Sequence, residues 1–330
     1  MKKMKFSLFI TAIIVACLIG GPTYLGAATY NQPLYSTTQS TDLQKDAANQ
    51  RNGGQVYYVD GNVINDQGDG ISWATAYQKL STAMAASHAN IGLASNRAWA
   101  ARNIIYVRGD EITEDFTKLA QKTDIIGVGA NNGYAKAGIT GTWIIPDTVD
   151  YMSCRFFNIM FTDPGATAIF DLDTQGGIEF HECLFDSGAA TTIGVQAEES
   201  GWLVIDNCEF SKVSVTLGFA TACISIVDDT NAIYGVRITN NRINGFAIGI
   251  DWNETESYNC LIDGNIMYAT GMPIDCESDD VVVVNNRWMT DIDTTTSTAG
   301  YDFNIQLSAG NIQMGATGLG DTIPFAKIAE

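Results

Sequence analysis

One eight-residue phrase recurs six times between Met152 and Thr290, with changing letters and a constant pattern, and it limits the fold more than any other feature of the chain. It reads CRFFNIMF (154–161), IEFHECLF (178–185), LVIDNCEF (203–210), VRITNNRI (236–243), CLIDGNIM (260–267) and VVVVNNRW (281–288). Aligned on a turn residue, Ile159, Cys183, Cys208, Asn241, Asn265 and Asn286 form one column. Three further columns are apolar throughout. Five residues before the turn stand Cys154, Ile178, Leu203, Val236, Cys260 and Val281; three before it, Phe156, Phe180, Ile205, Ile238, Ile262 and Val283; two after it, Phe161, Phe185, Phe210, Ile243, Met267 and Trp288.

Successive turn residues are 24, 25, 33, 24 and 21 apart. A period in that range marks a solenoid, in which each repeat stacks its apolar face on the next to make one continuous core. Inside the phrase the apolar positions fall two apart, which is the period of a strand with one face in and one face out. Coils stacked at the ordinary strand spacing of about 4.8 Å place like residues on like. Asn241, Asn265 and Asn286 are therefore expected to form an amide ladder along the axis.

A second short strand follows each turn, in AIFDL (168–172), TIGV (192–195), CISIV (223–227), AIGID (247–251) and PIDC (273–276). This two-strand beat resembles the right-handed parallel β-helix of the pectate-lyase-like superfamily, whose members are extracellular polysaccharide-active and surface proteins. The resemblance covers about residues 55–315 and implies an all-β solenoid of about eight coils with an N-terminal capping helix. The block SWATAYQKLSTAMAAS (72–87) is similar to the segment that leads into many such proteins, and Tyr77, Leu80 and Met84 recur there at helical spacing. Such a helix covers core that the terminal coil would expose. IIYVRGDEITEDFTKL (104–119) and TDIIGVGA (123–130) look like the first coil, while 88–102 is longer than the family usually needs.

The chain divides into a signal peptide (1–28), a flexible tether (29–54), the β-helix with its cap (55–315) and a C-terminal cap or tail (316–330), where Ile323, Pro324 and Phe325 are placed to dock. Three lysines within Met1–Lys5, an apolar run from Phe6 to Gly20, and small residues at Gly26, Ala27 and Ala28 have the order of a secretory signal. Alternatives are a lipoprotein box ending at Cys17, which would be acylated, and an uncleaved anchor helix, for which the apolar run is short. The tether, rich in Gln, Thr, Asn and Ser, lacks the apolar content to pack. The expected location is secreted or cell surface, with the membrane touched only through the N-terminus.

Without the three signal lysines, 15 basic residues face 37 acidic ones, 15 − 37 = −22. That balance excludes nucleic acid and anionic membrane as partners, since both need clustered Lys or Arg to displace counterions. Six cysteines remain, an even number, and Cys183 and Cys208 share a column on neighbouring coils, within reach of a disulfide or of simple apolar stacking. The spacings contain no CxxC pair, so zinc is not expected.

Chemistry has one concrete candidate, the acids at the ends of the second strands: Asp171 and Asp173, Asp228 and Asp229, Asp251 and Glu254, Asp275 and Glu277, then Asp279 and Asp280. Stacking brings them to one side, about 5 Å apart on adjacent coils and about 10 Å on alternate ones, near the separations of glycosidase carboxylate pairs. Asp228, Asp229 and Asp251 are the catalytic candidates, with Arg237 as the base that a lyase of this fold would need. Arg155, Arg237 and Glu179 share an outward position. No cofactor is required, but Asp173, Asp228, Asp251 and Glu277 offer oxygen ligands to Ca²⁺. The same acids also suit plain solvated turns. Pectate-lyase W-I-D-H and polygalacturonase H-G phrases are missing, and His181 stands at an exposed strand position. Trp202, Trp252 and Tyr258 are the candidates for stacking on sugar rings, with Trp143 a further contributor. The expected role is a structural or glycan-binding surface module with a polysaccharide or cell-surface glycan as partner. A polysaccharide lyase or glycoside hydrolase is one alternative, and a virion-associated solenoid of the phage spike or fibre type another. Oligomeric state is left open.

Overall fold

The computed structural model describes residues 54–92, 101–109, 112–129, 137–146, 153–162, 165, 167–173, 176–186, 193–198, 201–211, 219–227, 232–244, 246–254, 256–268, 272–276, 278, 281–288, 300–308 and 311–317. The signal, lipoprotein box, tether up to residue 53 and C-terminal docking residues lie outside them. The described chain is an all-β parallel solenoid with one short α-helix on its N-terminal side.

Each regular turn carries three strands, not two. Cys154–Phe157 passes through a corner into Ile159–Thr162 and then Ala168–Leu172, and the plan repeats through Ile178–His181, Leu184–Asp186 and Ile193–Ala197. Three more turns follow, ending at Met272–Cys276. That makes about five turns rather than eight. The shortfall lies at the ends. Strands before Cys154 join the same ladders through longer connections, and Val281–Val284 with Arg287–Trp288 is followed by a hairpin, Gly300–Ser308 against Asn311–Thr317, paired antiparallel. First strands pair in register from coil to coil, Ile125↔Phe156↔Phe180↔Ile205↔Ile238↔Ile262↔Val283, all fully buried.

The corner between first and second strands turns on the residue before the one the sequence pattern singled out. Asn158, Glu182, Asn207, Asn240, Gly264 and Asn285 have φ of 54°, 54°, 52°, 57°, 70° and 55°. Left-handed backbone favours Gly and Asn, which explains that column's composition. The following residue then points inward, so Cys183, Cys208, Asn241, Asn265 and Asn286 are buried corner posts.

Those posts bond in series. Asn241 Nδ2 donates to Asn265 Oδ1 (3.0 Å) and Asn265 Nδ2 to Asn286 Oδ1 (2.8 Å), while the backbone N–H groups of Cys208, Asn241 and Asn265 donate to the amide oxygen one coil on (2.8, 2.9 and 3.0 Å). The expected ladder is present. Each amide also donates to a carbonyl of the preceding coil, Ile205, Ile238 and Ile262 in turn. The thiols of Cys183 and Cys208 do the same toward Phe156 and Phe180, at 3.6 and 3.5 Å. All six described cysteines are buried and none is in a disulfide, so the Cys183–Cys208 pair is stacked and not bridged.

Aromatic rings fill the N-terminal half of the core. Phe116 stacks on Trp143 at 3.7 Å, Trp143 on Phe170 at 5.1 Å, Phe156 on Phe180 at 5.2 Å and Phe185 on Phe210 at 4.5 Å. From Ile238 onward the described core is mostly aliphatic, with Trp252 as its ring. Trp143 is therefore core and offers no face to a sugar.

The capping helix, α1, spans Leu80–Gly92, later than the expected 72–87, and Trp73–Thr75 forms a short 3₁₀ turn before it. Its start is fixed by two carboxylates from elsewhere: Asp66 accepts from the N–H of Gln78 and Lys79, and Glu114 from those of Leu80 and Ser81. Acids at a helix N-terminus satisfy orphan donors and oppose the dipole. Leu80, Ala83, Met84, Ser87 and Ile91 form the buried face. Residues 88–92, the start of the long 88–102 stretch, are thus the end of α1.

Candidate functional site

Three outward features are candidates. The first is the acidic column. On the third strands Ile144, Asp171, Gln196, Ser225, Asp251 and Asp275 stand in register on successive coils. Asp251 and Asp275 are direct neighbours, about one strand spacing apart. Asp171 is three coils from Asp251, separated by Gln196 and Ser225, so the acids do not form one continuous stack. Gln196 Nε2 donates to Asp171 Oδ1 at 3.2 Å. Burial, with Asp173 beside it, raises the Asp171 carboxyl above its usual range. Glu254 is fully buried and builds a turn, its Oε1 accepting from the Glu256 N–H. Asp228, Asp229, Glu277, Asp279 and Asp280 lie outside the described residues. Among the described residues, no three His, Cys, Asp or Glu side chains gather as a metal site.

The second feature runs along the outer face of the first strands. Arg102 and Arg155 both reach Asp124 at 2.7 Å, and Arg155 meets both its oxygens. One coil on, Glu179 lies 2.9 Å from His181 Nε2, while Asp206 stands 3.8 Å from Nδ1. The imidazole stacks on Phe157 at 5.0 Å. The hydrogen bond from His181, helped by Arg155 and Arg102, lowers the Glu179 carboxyl below its usual range. The Nε2 of His181 is thus engaged by Glu179 on its own strand, while Asp206 on the next strand lies beyond hydrogen-bond length of Nδ1. Arg155 and Arg237 do share the outward row, in the order Arg155, Glu179, Val204, Arg237, Leu261, Val282. Arg155 is held by Asp124, whereas exposed Arg237 has aliphatic neighbours on both sides and no ion-pair partner among the described residues.

The third feature is aromatic. It lies at the corner where each coil passes from its third strand to the next first strand. Trp202, Tyr234 and Tyr258 are 61%, 50% and 46% exposed. Ile233–Tyr234 and Ser257–Tyr258 form a small parallel sheet, and the two tyrosine rings stack at 5.1 Å, 19° from parallel. The Trp202 N–H donates to the Tyr234 carbonyl at 2.6 Å, which fixes the strip across three coils.

Trp202 occupies the left-handed corner column of Ser153, Gly235 and Asn259, with φ of 63°. A bulky side chain there is an outlier, costing about 1–2 kcal/mol. Its indole lies flat over Gly235: a Cβ on that glycine would fall 2.6 Å from Cε3 and 2.9 Å from Cζ3. Gly235 thus clears the seat, leaving one indole face to solvent. Backbone outliers of this kind cluster at ligand-binding positions.

Trp252 does not belong to the exposed strip. It lies wholly inside, in the inward column Leu172, Ala197, Ile226, Trp252, Cys276. Strand alternation explains this, because Trp252 is in phase with inward Ile250. Its Nε1 donates to Ser257 Oγ at 3.0 Å, and Ser257 Oγ to the Glu254 carbonyl, so it supports the strand carrying Tyr258. Tyr234 was missed by the sequence reading. The available signal was its offset, seven residues before Asn241, as Tyr258 is seven before Asn265. A cavity of about 400 Å³ between α1 and residues 115–119 is lined by none of the candidate site residues.

No family model matches the chain, and no curated protein matches it. Among solved structures it is similar to the tailspike protein of Acinetobacter phage vB_ApiP_P1, with 16% identity and a TM-score of 0.38 over 68% of this chain and 45% of that one. The chain spans less than half the tailspike's length, and at that overlap the likeness carries no argument about function.

Proposed function

We propose that this protein is a secreted or cell-surface β-solenoid module that holds a polymeric glycan along the corner bearing Trp202, Tyr234 and Tyr258. The observation that carries this reading is Trp202: a bulky ring held in left-handed backbone, seated flat over Gly235 and exposed. An indole face packs on the C–H face of a pyranose, and the tyrosine hydroxyls add hydrogen-bonding edges. Because the three aromatics belong to successive coils, a ligand engaging all three runs with the axis rather than around a coil. Binding through a preformed platform needs no reorganisation, which lowers the entropic penalty of association.

The test is retention of the full chain on a panel of insoluble polysaccharides, with soluble chains followed by affinity electrophoresis. Retention that falls about tenfold or more in Trp202→Ala, with an unchanged unfolding midpoint, supports the module. Retention unaffected by Trp202→Ala refutes it. The in-register pair Asp251 and Asp275 supports a second, hydrolytic reading, for which adjacent carboxylates about 5 Å apart suit a retaining mechanism. New reducing ends that vanish in Asp275→Asn would establish it; their absence leaves binding without turnover.

A further inference from the structure

We infer that the glycan is a sparsely acidic one: stackable pyranoses with an isolated carboxylate, its ring on Trp202 and its acid on Arg237. This rests on the glycan reading above and adds the class of ligand. Arg237 follows Gly235, the seat of the indole, by two residues, about 7 Å along an extended chain. Its side chain points outward, and its row neighbours are Val204 and Leu261. The other arginines along the first-strand ladder differ: Arg102 and Arg155 are bound to Asp124, and Arg108 to Asp60. The two acids diagonally beside Arg237 already accept hydrogen bonds, Asp206 from Thr239 Oγ1 at 2.6 Å and Asn240 Nδ2 at 3.1 Å, and Asp263 from Asn285 Nδ2 at 2.9 Å.

A guanidinium with aliphatic flanks keeps its five donors for a ligand, and its fork matches a carboxylate in two parallel hydrogen bonds. The surrounding charge sets the other limit. The chain carries 37 acids against 18 bases, a net charge of −19. The column on the third strands places Asp251 and Asp275 on the same coils as Tyr234 and Tyr258. A polymer charged at every residue meets that field at each step, within a screening length of about 8 Å. One isolated acid meets Arg237 alone. The site thus selects for few charges, at a set distance from a stacked ring.

The experiment uses the full chain on a glycan array holding neutral chains, the same chains with one uronate or sialate per repeat, and polyuronides. The expected result is binding about tenfold tighter to a singly acidic chain than to its neutral parent, the size of one charge-assisted contact. Arg237→Gln is expected to erase that difference, and Arg237→Lys to restore part of it. Equal binding of acidic and neutral partners, still lost in Trp202→Ala, overturns the acid preference and leaves the platform standing. Tightest binding to polyuronides also overturns the preference. Indifference to Trp202→Ala, or retention of no glycan, overturns both.

Discussion

Replacing Asn265 by alanine is the most severe test of how this solenoid is held together. The amide makes four hydrogen bonds, accepting from Asn241 N–H and Nδ2 at 2.9 and 3.0 Å and donating to the Ile238 carbonyl and Asn286 Oδ1 at 2.9 and 2.8 Å. Alanine leaves the buried Asn241 N–H without its acceptor, which costs about 1–3 kcal/mol, and removes three other bonds of about 0.5–1.5 kcal/mol each. Asn241 Nδ2 keeps the Ile205 carbonyl, and Asn286 Oδ1 keeps the residue-265 N–H, so part of the loss is relieved. The expected destabilisation is about 3–5 kcal/mol, measured by urea denaturation at constant m-value. Asn265→Cys is expected to lie between wild type and alanine, because a thiol in this column reaches the preceding carbonyl, as Cys208 reaches Phe180. A loss below about 1 kcal/mol in Asn265→Ala, or a cysteine variant as weak as alanine, would show that the ladder accompanies the stacking without stabilising it.

Other outcomes follow from the same geometry. Trp252→Ala, opening a cavity in the core, is expected to lower stability by about 3–5 kcal/mol, whereas Trp202→Ala, which keeps the Cβ that strains left-handed backbone, should leave the denaturation midpoint unchanged. Asn207→Val places a β-branched residue at φ 52° and is expected to cost about 1–2 kcal/mol, with Asn207→Gly near neutral in the same melt. Burial pushes the Cys154 thiol up to about 12, so a thiol reagent at pH 8 should label it only after denaturation. For Glu179 the folded carboxyl is depressed, so its contribution is present above the unfolded value and lost as pH falls through the folded one. Glu179→Gln should flatten the acid limb of a stability-against-pH curve. Asp171 is raised, so the opposite sign holds: its ionisation opposes folding, and Asp171→Asn should stabilise at neutral pH.

The coil path was legible because inward columns repeat. Phe156, Phe180 and Ile205 need the same environment at a fixed offset, and a period of two or three dozen residues exposes that need. The number of turns was not legible, since apolar phrases recur wherever a ladder continues, whether or not the third strand follows. The helix start depends on Asp66 and Glu114, distant in sequence from Leu80, so no local pattern announces it. Among the site residues, Arg237, Trp202 and Tyr258 were found as outward residues. Trp252 was misplaced because its neighbours Asp251 and Asn253 suggest a turn, while its phase with Ile250 sends it inward.

The platform stands where the repeat departs from its own rule. Between Cys208 and Asn241 the spacing rises to 33, the corner post changes from thiol to amide, and the left-handed corner before the first strand changes from Trp202 to Gly235. These changes depend on one another. The amide oxygen of Asn241 takes the Cys208 N–H, so the two kinds of post join without an orphan donor. The glycine at 235 removes a Cβ that would lift the indole off the coil. An alanine at Gly235 would therefore tilt Trp202 while leaving the columns beneath it intact, and should weaken glycan retention as Trp202→Ala does. Strong retention in Gly235→Ala would mean that the indole acts by its edge or not at all, and the flat seat would then be a by-product of packing.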